Sequence, residues 1–226
     1  MSHTAFFYGT LMAAPVLQRV IWGSATPPTP AHASLLTVRP AILHAHRRHK
    51  VKDADYPAVL PTKRHDPSTV RGTLVEGLTD GDIWRLDIFE GPEYRRRKVK
   101  VQVLPQPANG KKAHGAMDMS ELTEPNDQSD AKRDEVEAET YIWVAGARRL
   151  EPEEWDFDEF VKDKMKHWVG GEATETDEGF QDVDDAVAVA VSAQKDPTGG
   201  RGANGSISQQ LHDDAHVSKT TLNSAV

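Results

Sequence analysis

Large apolar residues give out twice along this chain. Between about Gln106 and Glu139 the sequence holds Asn109-Gly110-Lys111-Lys112 and then mostly Glu, Asp, Ser, Thr and Lys. From Gly170 onward it is polar, acidic and glycine-rich, except where valine and alanine alternate from Val183 to Ala193. Fixing a residue's backbone costs roughly 1–2 kcal/mol of entropy, and a segment without apolar surface to bury has little to offset that. The core must come from the remainder. This predicts one α+β domain over residues 1–169, carrying a disordered insertion at about 107–138, and a disordered tail over 170–226. The valine–alanine run is read as part of the low-complexity tail, with a transient helix or strand as the alternative.

Composition narrows the partners. The formal charge is -8, which argues against a nucleic-acid partner, because phosphate recognition needs clustered Lys and Arg. With no cysteine, disulfides, thiolate catalysis and Cys-based zinc sites are excluded. No apolar run approaches the roughly 20 residues of a membrane span, so no membrane partner is expected. The start, Met1-Ser2-His3-Thr4-Ala5-Phe6-Phe7-Tyr8, lacks the basic and long apolar regions of a secretory signal. A cytoplasmic protein is the expectation.

Periodicity locates the elements. Ala5 to Tyr8 reads as a buried strand closed by a turn at Gly9. Leu35 to Ala45 suggests one or two strands bent at Pro40, and Val59-Leu60-Pro61 ends another extended piece. Val70, Gly72, Leu74 and Glu76 form a strand running into Gly77. From Thr79 the period changes to three and four, through Ile83, Leu86 and Glu90. That predicts a helix capped by Thr79 or Asp80 and stopped at Gly91-Pro92. Val99, Val101 and Val103 alternate with polar residues, and Thr140 to Val144 is the natural partner strand. A last helix is expected to start at Pro152, with Phe157, Phe160, Val161, Met165 and Trp168 on one face.

Three segments hold the chemistry. Glu90 shares a helix face with Ile83 and Leu86 and sits in the last turn, where the macrodipole is negative. Burial and dipole both disfavour its ionised form, and a carboxyl with a raised pKa suits general acid/base work near neutral pH. The alternative is a Glu that bends outward or pairs with Arg95 or Arg96. Tyr8-Gly9-Thr10-Leu11 is a strand-to-turn junction whose N–H groups would cradle a carboxylate or oxyanion, or else an ordinary turn. Tyr56-Pro57-Ala58 is the third. His44, His46 and His49, near Asp53 and Asp55, have cationic neighbours in Arg47, Arg48 and Lys50, so no metal site is assigned. Gly199-Gly200-Arg201-Gly202 lacks the strand and the Lys of a phosphate loop, and no Gly-x-Ser-x-Gly elbow is present.

Taken together these segments resemble the γ-glutamylcyclotransferase-like family, and more closely its avirulence-induced-gene branch of plants and fungi. The matching residues are the Tyr8–Leu11 turn, Tyr56 to Ala58, the Val70-x-Gly72-x-Leu74 strand, and Leu86-Asp87-x-x-Glu90-Gly91 with Tyr94 and Arg96. The late helix with Trp155 and Phe160 also looks like that branch. The resemblance implies a small twisted mixed β-barrel flanked by helices. It implies release of 5-oxoproline from a small-molecule γ-glutamyl amine or peptide, with Glu90 catalytic and Tyr8, Gly9, Thr10, Leu11, Tyr56 and Tyr94 binding substrate. The nucleophile would be the substrate's own amine, so no cofactor or metal is expected. The alternatives are a non-catalytic member binding a small carboxylate or a partner, and a related amide hydrolase.

Overall fold

The computed structural model describes residues 2–63, 66–105, 134–169 and 178–193. In chain order the strands are β1 (His3–Phe7), β2 (Thr37–His44), β3 (His46–Lys50), β4 (Pro57–Pro61), β5 (Thr69–Leu78), β6 (Tyr94–Val103) and β7 (Glu135–Trp143). The helices are α1 (Ala14–Trp22), α2 (Pro30–Ala33), α3 (Asp80–Glu90), α4 (Phe157–Glu159), α5 (Met165–Val169) and α6 (Glu178–Ser192). A π-helical turn, Phe160–Lys164, joins α4 to α5.

A closed barrel forms in the order β1-β5-β2-β6-β7. Its neighbours are antiparallel except where β1 meets β7 in parallel at Ala5 and Glu139, and that contact closes the ring. The expected small mixed barrel flanked by helices is therefore the fold. The hairpin of β3 and β4 forms a separate two-stranded sheet. Strand alternation divides the core in two. Phe6, Leu43, Val70, Leu74 and Val101 fill one cluster, joined by Val59 of β4. Phe7, Val75 and Leu78 point the other way, onto Val16, Ile21, Leu86 and Phe160 of the helices. Truncating a fully buried member such as Leu74 to Ala would cost about 2–5 kcal/mol.

Local chemistry explains the helix that carries Glu90. Thr79 caps α3: its hydroxyl accepts from Asp82 N at 3.1 Å, and Asp82 Oδ2 accepts from Thr79 N at 2.8 Å. Gly91 ends it at φ 65°, a conformation that favours glycine. Helix α1 was not foreseen, although Val16, Leu17, Val20 and Ile21 have helical spacing and are all buried.

Of the one or two strands expected over Leu35 to Ala45 there is one, β2, which runs on through Pro40; Pro40 pairs with Thr73 and its carbonyl accepts from Leu104 N at 2.9 Å, so only its missing N–H is lost to the ladder. Three expectations are corrected. The last helix begins at Phe157, not Pro152, with the Asp156 carboxylate accepting from Glu159 N at 2.8 Å. Residues 149–153 lie instead along the end of β3, where Glu151 N donates to Lys50 O at 2.9 Å and Lys50 N to Glu153 O at 3.1 Å. The expected insertion at 107–138 overlaps β7, which starts at Glu135: its charged residues form cross-strand pairs, Lys98–Glu137 at 2.8 Å and Lys100–Glu135 at 3.9 Å. The expected disordered tail at 170–226 contains α6, whose Phe180 and Val183 are buried. The expectations for 107–133, 170–177 and 194–226, with Gly199-Gly200-Arg201-Gly202, lie outside the described residues. Among the described residues no helix is long and apolar enough to cross a membrane.

Candidate active site

The end of α3, the turn after β1 and the start of β4 meet at one cavity of about 890 Å³. Tyr8, Gly9, Thr10, Leu11, Tyr56, Glu90 and Tyr94, all singled out in the sequence, line it. All four tyrosines of the chain stand in its wall, Tyr141 of β7 being the one sequence reasoning missed.

The turn is built for close packing. Met12 N donates to Gly9 O at 2.9 Å and Ala13 N to Thr10 O at 3.0 Å, closing a 3₁₀ turn over Thr10–Met12. The N–H groups of Thr10 and Leu11 precede the first closed ring and have no acceptor inside the turn. Gly9 has φ −130°, outside the left-handed region. Space demands glycine there: a Cβ would sit 2.6 Å from Pro57 Cγ and 2.8 Å from its Cδ. Pro57 is held in turn by Tyr94, whose hydroxyl donates to Pro57 O at 2.9 Å. The Tyr8–Leu11 turn and the Tyr56–Ala58 segment are thus one packed unit, tied to the Glu90 segment by Tyr94. From behind, Arg48 Nη1 donates to Tyr8 O at 2.9 Å, and its guanidinium lies 5.6 Å from the Trp155 ring centre.

Glu90 lines this cavity and forms no ion pair among the described residues. The ion pair with Arg95 or Arg96 that the sequence left open is not formed. Arg96 instead grips Asp87, with Nε 2.8 Å from Oδ1 and Nη2 3.1 Å from Oδ2, and also pairs with Glu139. Part of Glu90's surface opens into the cavity, but protein surrounds it on the other sides. That burial, and secondarily the Asp87 charge, push its carboxyl from the ordinary 4.5 up to about 8. The tyrosines are shifted the same way. Burial first, then the Glu90 charge, raises Tyr8. Burial first raises Tyr94 and Tyr141 as well, with Tyr8 and Asp87 respectively as the next causes and Glu90 after them. All three therefore stay as neutral O–H donors.

Their protons are already directed. Tyr8 donates to Tyr141 O at 2.5 Å, Tyr141 to Asp87 Oδ1 at 2.9 Å, and Tyr56 to Glu93 Oε2 at 3.1 Å. The phenols fix the walls and one another. The cavity mouth adds Lys52, whose Nζ donates to Arg148 O at 2.9 Å, with Arg148 itself and Arg149, which pairs with Glu93. Arg148 and Arg149 follow the last strand in an exposed, unpatterned segment, Lys52 lies just after β3, and none of the three left a signal in the sequence. The histidines weighed as metal ligands serve separate partners: His44 Nε2 meets Gln102 at 2.8 Å, and His49 Nδ1 meets Glu151 O at 3.1 Å.

A half-buried acid with no ion pair among the described residues, sharing a cavity with the Tyr8–Leu11 turn, is an arrangement that can move a proton beside an oxygen that gains charge. The family model for gamma-glutamyl cyclotransferase, AIG2-like, matches residues 5–157. The chain belongs to this family. Its barrel is accordingly a cyclotransferase-type fold. Protein AIG2 C of Arabidopsis thaliana is 29% identical over 159 residues, spanning 70% of this chain and 72% of its own. AIG2-like protein D of the same plant is 29% identical over 171 residues, spanning 74% and 83%. A solution structure of an Arabidopsis thaliana protein aligns with a TM-score of 0.43 and 25% identity, over 79% of this chain and 90% of that one. Glu90 and the three motifs lie inside the matched span; Trp168 and Gly179, which also line the cavity, lie beyond it.

Proposed function

We propose that the protein is a γ-glutamyl cyclotransferase that converts a γ-glutamyl amine or peptide into 5-oxoproline and the free amine. The observation that carries this is Glu90, a carboxyl without a cation partner among the described residues, held near neutral titration in the same cavity as the Tyr8–Leu11 turn. The substrate's α-amine attacks its own γ-carbonyl carbon. A C–N bond forms, closing a five-membered ring, and the C–N bond to the leaving amine breaks. Glu90 takes the proton lost by the attacking nitrogen and returns it to the departing one, so no water is consumed. The N–H groups of Thr10 and Leu11 supply donors where the carbonyl oxygen gains charge. The cavity folds the glutamyl chain back on itself, supplying the proximity that an intramolecular reaction needs. No nucleophilic side chain is required, in keeping with the absence of cysteine.

The test is incubation of the full chain with several γ-glutamyl compounds, with detection of 5-oxoproline and Glu90→Gln alongside. Formation of 5-oxoproline that the variant abolishes supports the proposal. Free glutamate in its place would assign a hydrolase, and ligand binding without turnover a binding protein.

A further inference from the structure

The cavity has more room than a γ-glutamyl group needs. At about 890 Å³ it lies near the top of the roughly 300–1,000 Å³ range of pockets that enclose drug-sized ligands. The glutamyl half would occupy the Glu90 end. Two directions remain for the leaving group: the rim at Lys52 and Arg148, and the wall formed by Phe89, Trp168 and Gly179.

The wall is the more selective of the two. Lys52 and Arg148 are exposed, so water and salt screen whatever charge they meet. Phe89 and Trp168 are half-buried, their rings 6.4 Å apart at 69°, and both border the cavity. Leaving such rings against water is unfavourable, and a planar or bulky apolar group packed against them from the cavity would restore the burial. Phe89 precedes Glu90, and neighbouring residues on a helix point about 100° apart. The reacting carbonyl and the aromatic wall therefore serve different parts of one bound molecule.

The wall is also firmly built. Phe180 of α6 packs on Phe89 at 5.0 Å and on Trp168 at 6.2 Å. Val183 is fully buried, and both terminal nitrogens of Arg19 meet Asp184, at 3.0 and 2.5 Å. Where α6 crosses Phe89 the residue is Gly179, and a Cβ there would lie 3.1 Å from both the Phe89 ring and its carbonyl oxygen. The helix approaches as closely as its backbone allows, and it does so on the helix that carries Glu90.

We propose that the Phe89–Trp168 wall, completed by α6, is the leaving-group subsite, selecting γ-glutamyl substrates whose released amine bears an aromatic or bulky apolar side chain. The inference rests on the cyclotransferase reading for its chemistry, but its selectivity is measurable without turnover. The full chain is assayed with γ-glutamyl-phenylalanine and γ-glutamyl-alanine, by 5-oxoproline release and, in Glu90→Gln, by calorimetric binding. The phenylalanyl compound should be favoured by about tenfold or more, the scale on which an apolar pocket discriminates. Trp168→Ala should bring that ratio close to one. Trp168→Leu, which keeps apolar packing on Phe160 and Phe180, should leave an intermediate ratio. A preference seen in binding with no 5-oxoproline would uphold the subsite and sink the cyclotransferase. Turnover of both compounds with equal kcat/KM, a preference that both Trp168 variants leave intact, or binding of neither compound would overturn the subsite.

Discussion

Asp87 and Glu90 stand about one turn apart on α3, and their surroundings give the same functional group opposite roles. Asp87 turns toward β6 and β7, where Arg96 takes both of its oxygens and the Tyr141 hydroxyl shares one. Its side chain is 41% exposed, so water helps to solvate the charge. Glu90 turns into the cavity, meets no cation among the described residues, and is pushed up to about 8 by burial and by Asp87 itself. One carboxylate is a fixed part of the frame; the other exchanges its proton near neutral pH. Environment rather than residue type separates them, and the frame charge helps to tune the reactive one.

The largest effect expected from breaking this contrast is on turnover. Glu90→Gln keeps the shape but cannot accept a proton, so kcat should fall about 10²-fold or more while ligand affinity changes far less. Single-turnover and binding measurements on the same preparation separate the two. Stability should respond with opposite signs at the two positions. Between pH 4.5 and about 8 Glu90 is protonated in the fold but ionised in the unfolded chain. The folded state then holds the extra proton, and stability falls as pH rises through that window. Glu90→Gln removes this loss, so its melting temperature should exceed that of the parent at pH 8 and converge with it below pH 4.5. Asp87→Asn weakens a half-exposed pair with Arg96 and should cost about 1 kcal/mol at neutral pH.

Smaller effects test the packing behind the contrast. Gly9→Val forces Pro57 aside and should cost about 1–3 kcal/mol in thermal stability, with weaker ligand binding, since the cradle and Pro57 move together. Binding equal to that of the parent would mean the turn is not part of the site. Tyr94→Phe removes only the hydrogen bond to Pro57 O and should cost about 1 kcal/mol, read by urea unfolding.

How far the sequence reveals this site depends on how local each signal is. Thr79, Gly91 and the three-and-four spacing that ends on Glu90 are local, and α3 follows them closely. The barrel strands with alternating valines were legible for the same reason. The first part of β7 was not, because its glutamates read as solvent-loving filler until the lysines of β6 lie opposite them. Helix α6 was hidden for a related reason. Its valine–alanine run carries little information alone, and its place is set by Phe180 against Phe89 and by Asp184 against Arg19, contacts between distant parts of the chain. The role of Gly9 was legible as close approach, but the approaching group, Pro57, belongs to a second motif and appears only in the fold.

The pH dependence of kcat/KM, measured for the parent and for Asp87→Asn on one γ-glutamyl compound, tests the central claim most directly. With Glu90 as the base, activity should rise with pH along an acid limb whose midpoint lies at about 8. Asp87→Asn removes the neighbouring negative charge and should move that midpoint to lower pH. An acid limb at the ordinary carboxyl value of 4.5, or one that Asp87→Asn leaves in place, would contradict Glu90 as the group that carries the proton.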